Sequence, residues 1–112
     1  MVLDNAPRME YISWCMDAKA RRALTIIRDC VADDRFVVLP HFMQRMDQRG
    51  FFWGDVLAVL DSPATVRDDG RDRYDRPKWI VAGATADEIG IELVCAIDTD
   101  DRGRLTVFIT VY

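Results

Sequence analysis

The decapeptide His41 to Gly50, HFMQRMDQRG, places an imidazole and two guanidinium groups, His41, Arg45 and Arg49, at four-residue intervals. On a helix that interval displaces each side chain by only about 40° from the last, so the three share one side while Phe42, Met43 and Met46 turn toward a core. An imidazole titrates near neutrality and can move a proton, and forked guanidinium groups hold the oxygens of a phosphate. Pro40 precedes the histidine. Proline is favoured in a first helical turn, where the helix dipole also attracts anions. A second grouping is RYDRPKW, Arg73 to Trp79, which interleaves Arg73, Arg76 and Lys78 with aromatic rings. Nucleic-acid surfaces use that mixture, rings for bases and cations for phosphates.

Cutting RNA without a metal needs a base for the 2′-hydroxyl, an acid for the leaving 5′-oxygen and cations around the phosphorus. The chain has candidates for each: His41, Tyr74 and Lys78 for proton transfer, and Arg45, Arg49, Arg73, Arg76 and Tyr112 for holding the strand. Each has a plainer reading beside it. His41 is equally placed to serve as a helix-start residue bonded to backbone, and Arg45 and Arg49 to pair with Asp47 or Asp55. Asp72 and Asp75 sit among the cations of RYDRPKW, so that segment can instead neutralise itself.

These groups need elements to position them. Met9 to Ala32 reads as an amphipathic helix, with Tyr11, Trp14, Cys15, Ala18, Ile26, Ile27, Cys30 and Val31 on its stripe and Asp33-Asp34 at its end. Lys19, Arg21, Arg22 and Arg28 decorate its solvated side. Phe36 to Leu39 is a short extended segment stopped by Pro40, and the histidine helix runs to a Gly50 C-cap. A second short helix starts near Asp55 and closes at Ser62-Pro63. The rest reads as antiparallel strands near Ala64 to Asp68, Arg73 to Ala84, Ile89 to Thr99 and Arg104 to Tyr112, with turns at Asp69-Gly70 and Asp101 to Gly103. Pro77 interrupts the second of these or marks it as an edge.

Alternation puts Ile89, Ile91, Leu93, Cys95 and Ile97 with Leu105, Val107, Ile109 and Val111 on the face that meets the helices. Glu92, Thr106, Phe108, Thr110 and Tyr112 then fall on an open, half-polar face where a ligand can lie. Threonines and aromatics also favour strands for their own sake. The expected architecture is α+β, one domain over residues 1–112. It has a helical segment over 1–34 and a core over 35–112, in which a long helix and two short helices cover one face of a sheet of about four antiparallel strands.

The motif H-x-x-x-R-M-x-x-R-G, followed by Asp55-Val56 and the closing ITVY, resembles a family of small bacterial domains of unknown function, over about Val37 to Tyr112. In the order of its elements the chain is distantly similar to the MqsR and RelE group of messenger-RNA-cleaving toxins. Members of the first family are often encoded beside a zinc-finger antitoxin of the YgiT type. The resemblance therefore implies a toxin-antitoxin setting, RNA held across an uncovered sheet face, and catalysis by side chains without a metal.

Composition narrows the field. With 112 residues, half of them hydrophobic, the chain can bury a core. No apolar run approaches a membrane span and no signal-like leader is present, so the cytoplasm is the expected location and no membrane is expected as a partner. Cys15, Cys30 and Cys95 have no C-x-x-C spacing, which argues against disulfides and structural zinc. No metal site or cofactor is expected. Cys95 falls on an apolar strand face, where a nucleophilic thiolate is disfavoured. No P-loop, dinucleotide fingerprint or G-x-S-x-G elbow occurs. The net charge of −4 opposes nucleic-acid binding, although Arg67, Arg71, Arg73, Arg76 and Lys78 gather in one region. Two functions remain: a toxin-like endoribonuclease with RNA as substrate and a zinc-finger, helix-turn-helix antitoxin as partner, or a binding module that does no chemistry.

Overall fold

The structure is a computed structural model that describes residues 17–112. The helical expectation for 9–16, with Tyr11, Trp14 and Cys15 in its stripe, lies outside the described residues. Helix α1, Ala18–Ala32, starts later than the periodicity suggested because Asp17 caps it. The backbone of Asp17 is extended and its carboxylate accepts the Ala20 N–H at 2.7 Å. Ala20, Ala23, Leu24, Ile27 and Cys30 form the buried stripe. The helix ends at Asp33, and Asp34 follows in the left-handed region at φ 57°.

The segment expected to be merely extended is strand β1, Phe36–Val38. Helix α2 is Pro40–Arg49, with proline in its first turn and Gly50 closing it at φ 71°. Helix α3, Trp53–Asp61, begins before Asp55, whose carboxylate accepts the Phe52 N–H at 2.9 Å from the first turn. Arg28 of α1 donates to the Leu60 and Asp61 carbonyls, both at 2.7 Å, and so ties α1 to the end of α3.

Strands β2, Thr65–Arg71, β3, Pro77–Ala84, β4, Gly90–Asp100, and β5, Gly103–Val111, complete the sheet. Among the described residues it has five strands in the order β1-β5-β4-β3-β2, one more than the sequence suggested. It is mixed rather than antiparallel, because β1 pairs parallel to β5 with Phe36 opposite Thr106 and Val38 opposite Phe108. Arg35 fixes that edge by donating to Asp100 at 2.6 Å and to the Gly103 carbonyl at 3.3 Å.

Two hairpin expectations also change. Asp69-Gly70 is not a turn: it lies within β2, where the pairing shifts between Asp68 and Arg71 and Gly70 sits at φ 78°. The turn comes at 72–76, and β3 therefore begins at Pro77 instead of Arg73.

The larger correction concerns β5. Cys95 pairs with Phe108, yet Val94 pairs with Thr110, so one residue, Ile109, is left over as a bulge. Before the bulge, Thr106 and Phe108 face the helices while Leu105 and Val107 face away. After it, Val111 faces the helices and Thr110 faces away. The reason is aromatic packing: Phe108 is wholly buried, its ring centroid 5.4 Å from Phe42, 5.4 Å from Trp53 and 6.0 Å from Phe36. Burying a ring of that size is worth roughly 1.5–3 kcal/mol, more than Val107 could return from the same position. The outer face is correspondingly less open than expected, for Val94, Ala96 and Val107 are buried there.

Candidate functional site

The β2–β3 turn is built by one carboxylate. Asp72 accepts the backbone N–H groups of Tyr74 and Arg76, both at 3.0 Å, and the Arg76 guanidinium at 2.6 and 2.7 Å. Asp75 takes the left-handed conformation, φ 61°, that lets the chain reverse within five residues. Burial raises the Asp72 carboxyl most strongly of any single influence, but the hydrogen bonds from Arg76 and from the two backbone N–H groups together outweigh it and hold the carboxyl below its ordinary range. Arg76, bonded to Asp72 first and to Asp98 second, is held above its own ordinary value. Its reach to Asp98 on β4, 3.2 Å, folds the turn onto the outer face of the sheet.

That fold-back creates a cleft of about 700 Å³ between the turn and the ends of β4 and β5. Arg71, Arg73, Tyr74, Arg76 and Lys78 line one side together with the carboxylates Asp69 and Asp72; Tyr112, Thr110, Ile109 and Leu39 line the other, with Ile80 and Val94 beneath. Tyr74 and Tyr112 are 66% and 53% exposed, so both are within reach of an incoming molecule. Each is braced by guanidinium groups. Arg76 and Arg73 stand 4.9 and 5.6 Å from the Tyr74 centroid, and Arg45 stands 5.6 Å from that of Tyr112.

The expected site residues divide. Tyr74, Lys78, Arg73, Arg76 and Tyr112 share the cleft. Within it Arg76 is committed to Asp72 and Asp98, Lys78 lies 3.3 Å from Asp69, and Arg71 lies 3.7 Å from Asp75. The self-neutralising reading of RYDRPKW thus describes Arg76 well. It does not describe Arg73, which has no carboxylate partner among the described residues.

The histidine helix contributes less directly. Arg45 donates from Nε to the Val111 carbonyl at 3.2 Å and thereby seats Tyr112, while Arg49 stacks on Phe51 at 5.0 Å at the other end of α2. Neither pairs with Asp47 or Asp55. His41 is exposed, is absent from the cleft lining, and has no hydrogen bond or ion pair among the described residues. Leu39, two residues before it, does line the cleft, so His41 stands near its rim.

Several cleft residues were not expected. Leu39, the residue before α2, and Ile80 and Val94, in the middle of the interior strands β3 and β4, are apolar with no chemical signature, and Arg71 stood only as one of the five cations gathered in its region. Thr110 had a signal, its place on the outer face, but not its distinguishing property. Its Oγ1 is buried without a hydrogen-bond partner. Cys95 lies wholly buried among the helices, and burial pushes its thiol far up, which removes it as a nucleophile.

Among the described residues no group of side chains is arranged to hold a metal ion, and no helix is long and apolar enough to cross a membrane. A family model described as a domain of unknown function (DUF4258) matches residues 38–112. No curated protein and no solved structure matches the chain.

Proposed function

Since the chain belongs to the DUF4258 family, whose description leaves the activity open, we propose that it is a toxin-like, metal-independent endoribonuclease that cuts messenger RNA lying across the outer face of its sheet. The observation that carries this reading is the cleft shared by Tyr74, Lys78, Arg73 and Tyr112. In the proposed reaction the 2′-hydroxyl attacks phosphorus, a base takes its proton, and an acid returns one to the departing 5′-oxygen. Lys78 exchanges Asp69 for the phosphate and offsets the charge that develops on it, and Tyr74 donates the proton. His41 supplies the base from the rim, where the strand passes Leu39. The products are a 2′,3′-cyclic phosphate and a 5′-hydroxyl.

The likeness to MqsR and RelE in this reading rests on element order: a helix, a short strand, two short helices and four antiparallel strands. A zinc-finger, helix-turn-helix antitoxin is the proposed partner, covering the basic turn. Incubating the purified protein with messenger RNA in excess chelator and identifying the new ends tests the activity. Lys78→Ala and His41→Ala should each slow cleavage about a hundredfold while leaving the thermal transition in place.

A second reading, a binding module without chemistry, is favoured by one observation: His41 stands outside the cleft lining while Lys78 and Arg76 already have carboxylate partners. RNA that is bound and recovered intact would select it.

A further inference from the structure

One residue of the cleft has its hydroxyl buried without a partner. Thr110 is 6% exposed, its Oγ1 makes no hydrogen bond, and it lines the same hollow as the two exposed tyrosine rings. A buried hydroxyl left unpaired costs stability, and a strand position beside solvent-facing rings could have been filled by valine at no such cost. Thr106 offers the contrast. Its Oγ1 is also unpaired, but it is wholly buried on the helix-facing side and is not part of this cleft.

The surroundings of Thr110 define what can satisfy it. Beneath lie Ile80 and Val94, with Ile109 beside them, an apolar surface that accepts a flat, weakly hydrated body. On either side stand the rings of Tyr74 and Tyr112, held in place by Arg76 and Arg45. At the rim Arg73 lacks a carboxylate and Lys78 is only partly buried. An apolar surface, two rings, one hydroxyl and rim cations together suit a planar heterocycle with polar edges attached to a phosphate.

We infer that the cleft contains a nucleobase subsite, in which one unstacked base enters between Tyr74 and Tyr112 and is hydrogen-bonded on its edge by Thr110 Oγ1 once that hydroxyl, closed to solvent in the free protein, turns about its Cα–Cβ bond toward it. The inference rests on the RNA reading of the same cleft and adds to it: the strand is gripped through a base as well as through its backbone. A hydroxyl both donates and accepts, so the subsite accepts more than one base and selects for single-stranded over duplex RNA. Arg73 and Lys78 meet the phosphates that flank the inserted base.

The test uses five-unit 2′-O-methyl strands, which cannot be cleaved by 2′-attack, carrying a fluorescent end label. One strand is abasic throughout and the other bears a single central base. By anisotropy the base should tighten binding at least tenfold. Thr110→Val should reduce that gain about fivefold, melt no lower than the unsubstituted protein, and leave the abasic strand unaffected. Thr106→Val should alter neither affinity, and Tyr74→Ala, at an exposed position that does not endanger folding, should remove most of the gain. Equal binding of the two strands would overturn the base subsite while the RNA reading survived. Failure of both strands and of natural RNA to bind would sink that reading itself.

Discussion

Asp72 governs the site although it carries none of its proposed chemistry. Its two oxygens hold two backbone N–H groups and one guanidinium, and its side chain is only 9% exposed. Removing it leaves Arg76 with Asp98 alone and two backbone N–H groups unpaired, so Asp72→Ala should cost about 2 kcal/mol in urea denaturation, within the range for leaving half-buried donors unsatisfied. Acid should act on the same bond. Because the folded carboxyl titrates below its ordinary value of 3.8, its contribution is complete above that range and is lost as pH falls through the lower folded value. Asp100, held below its ordinary value first by Arg35 and then by the Arg102 N–H, shifts in the same direction. Following the Tyr74 ring resonances by NMR from pH 6 to pH 2 should show the turn releasing only at the acid end; release near neutrality would contradict this account.

At the scale of elements, β5 decides both the core and the site. Its single extra residue, Ile109, lets one strand send Phe108 into the helices and, two residues on, Thr110 into the cleft. A strand of strict alternation would place both on the same face. Deleting Ile109 should remove the bulge and leave the faces as they are, with Thr110 opposite Val94 on the outer side and Val111 opposite Leu93 among the helices, so cooperative unfolding should survive, which near-ultraviolet circular dichroism can follow; its loss would mean that the bulge itself is needed. Phe108→Ala leaves the register alone but empties the centre of the cluster formed with Phe36, Phe42 and Trp53. The expected loss is about 3–5 kcal/mol, and a loss below 1 kcal/mol would mean that those rings close over the gap.

For the molecule as a whole, an acidic chain is proposed to bind a polyanion, and the two facts are compatible only if the interaction is local. The net charge is −4, yet Arg73 and Lys78 stand at one end of one sheet face. With about two phosphates neutralised, binding of single-stranded RNA should weaken with salt at a log–log slope near −1.4, taking about −0.7 per phosphate. Lys78→Ala should roughly halve that slope. A slope as steep as that of a broad basic surface would place the RNA elsewhere on the molecule.

What could be read along the chain was whatever depends on near neighbours. The Gly50 cap, the proline start of α2, the Asp33-Asp34 stop and the cation-aromatic mixture of RYDRPKW all follow from spacing of a few residues. Alternation likewise identified the helix-facing residues of β4, but helical spacing put Ala18 and Met43 on buried stripes although both are exposed, and alternation failed in β5 beyond Phe108. Periodicity is silent on which face meets which partner. The parallel pairing of β1 with β5, the bulge that turns Phe108 inward, the carboxylate that folds Arg76 over β4, and the placing of His41 beside the cleft instead of within it are settled by contacts between segments tens of residues apart. Those contacts follow from how rings and charges pack in three dimensions, where one extra residue reverses everything beyond it.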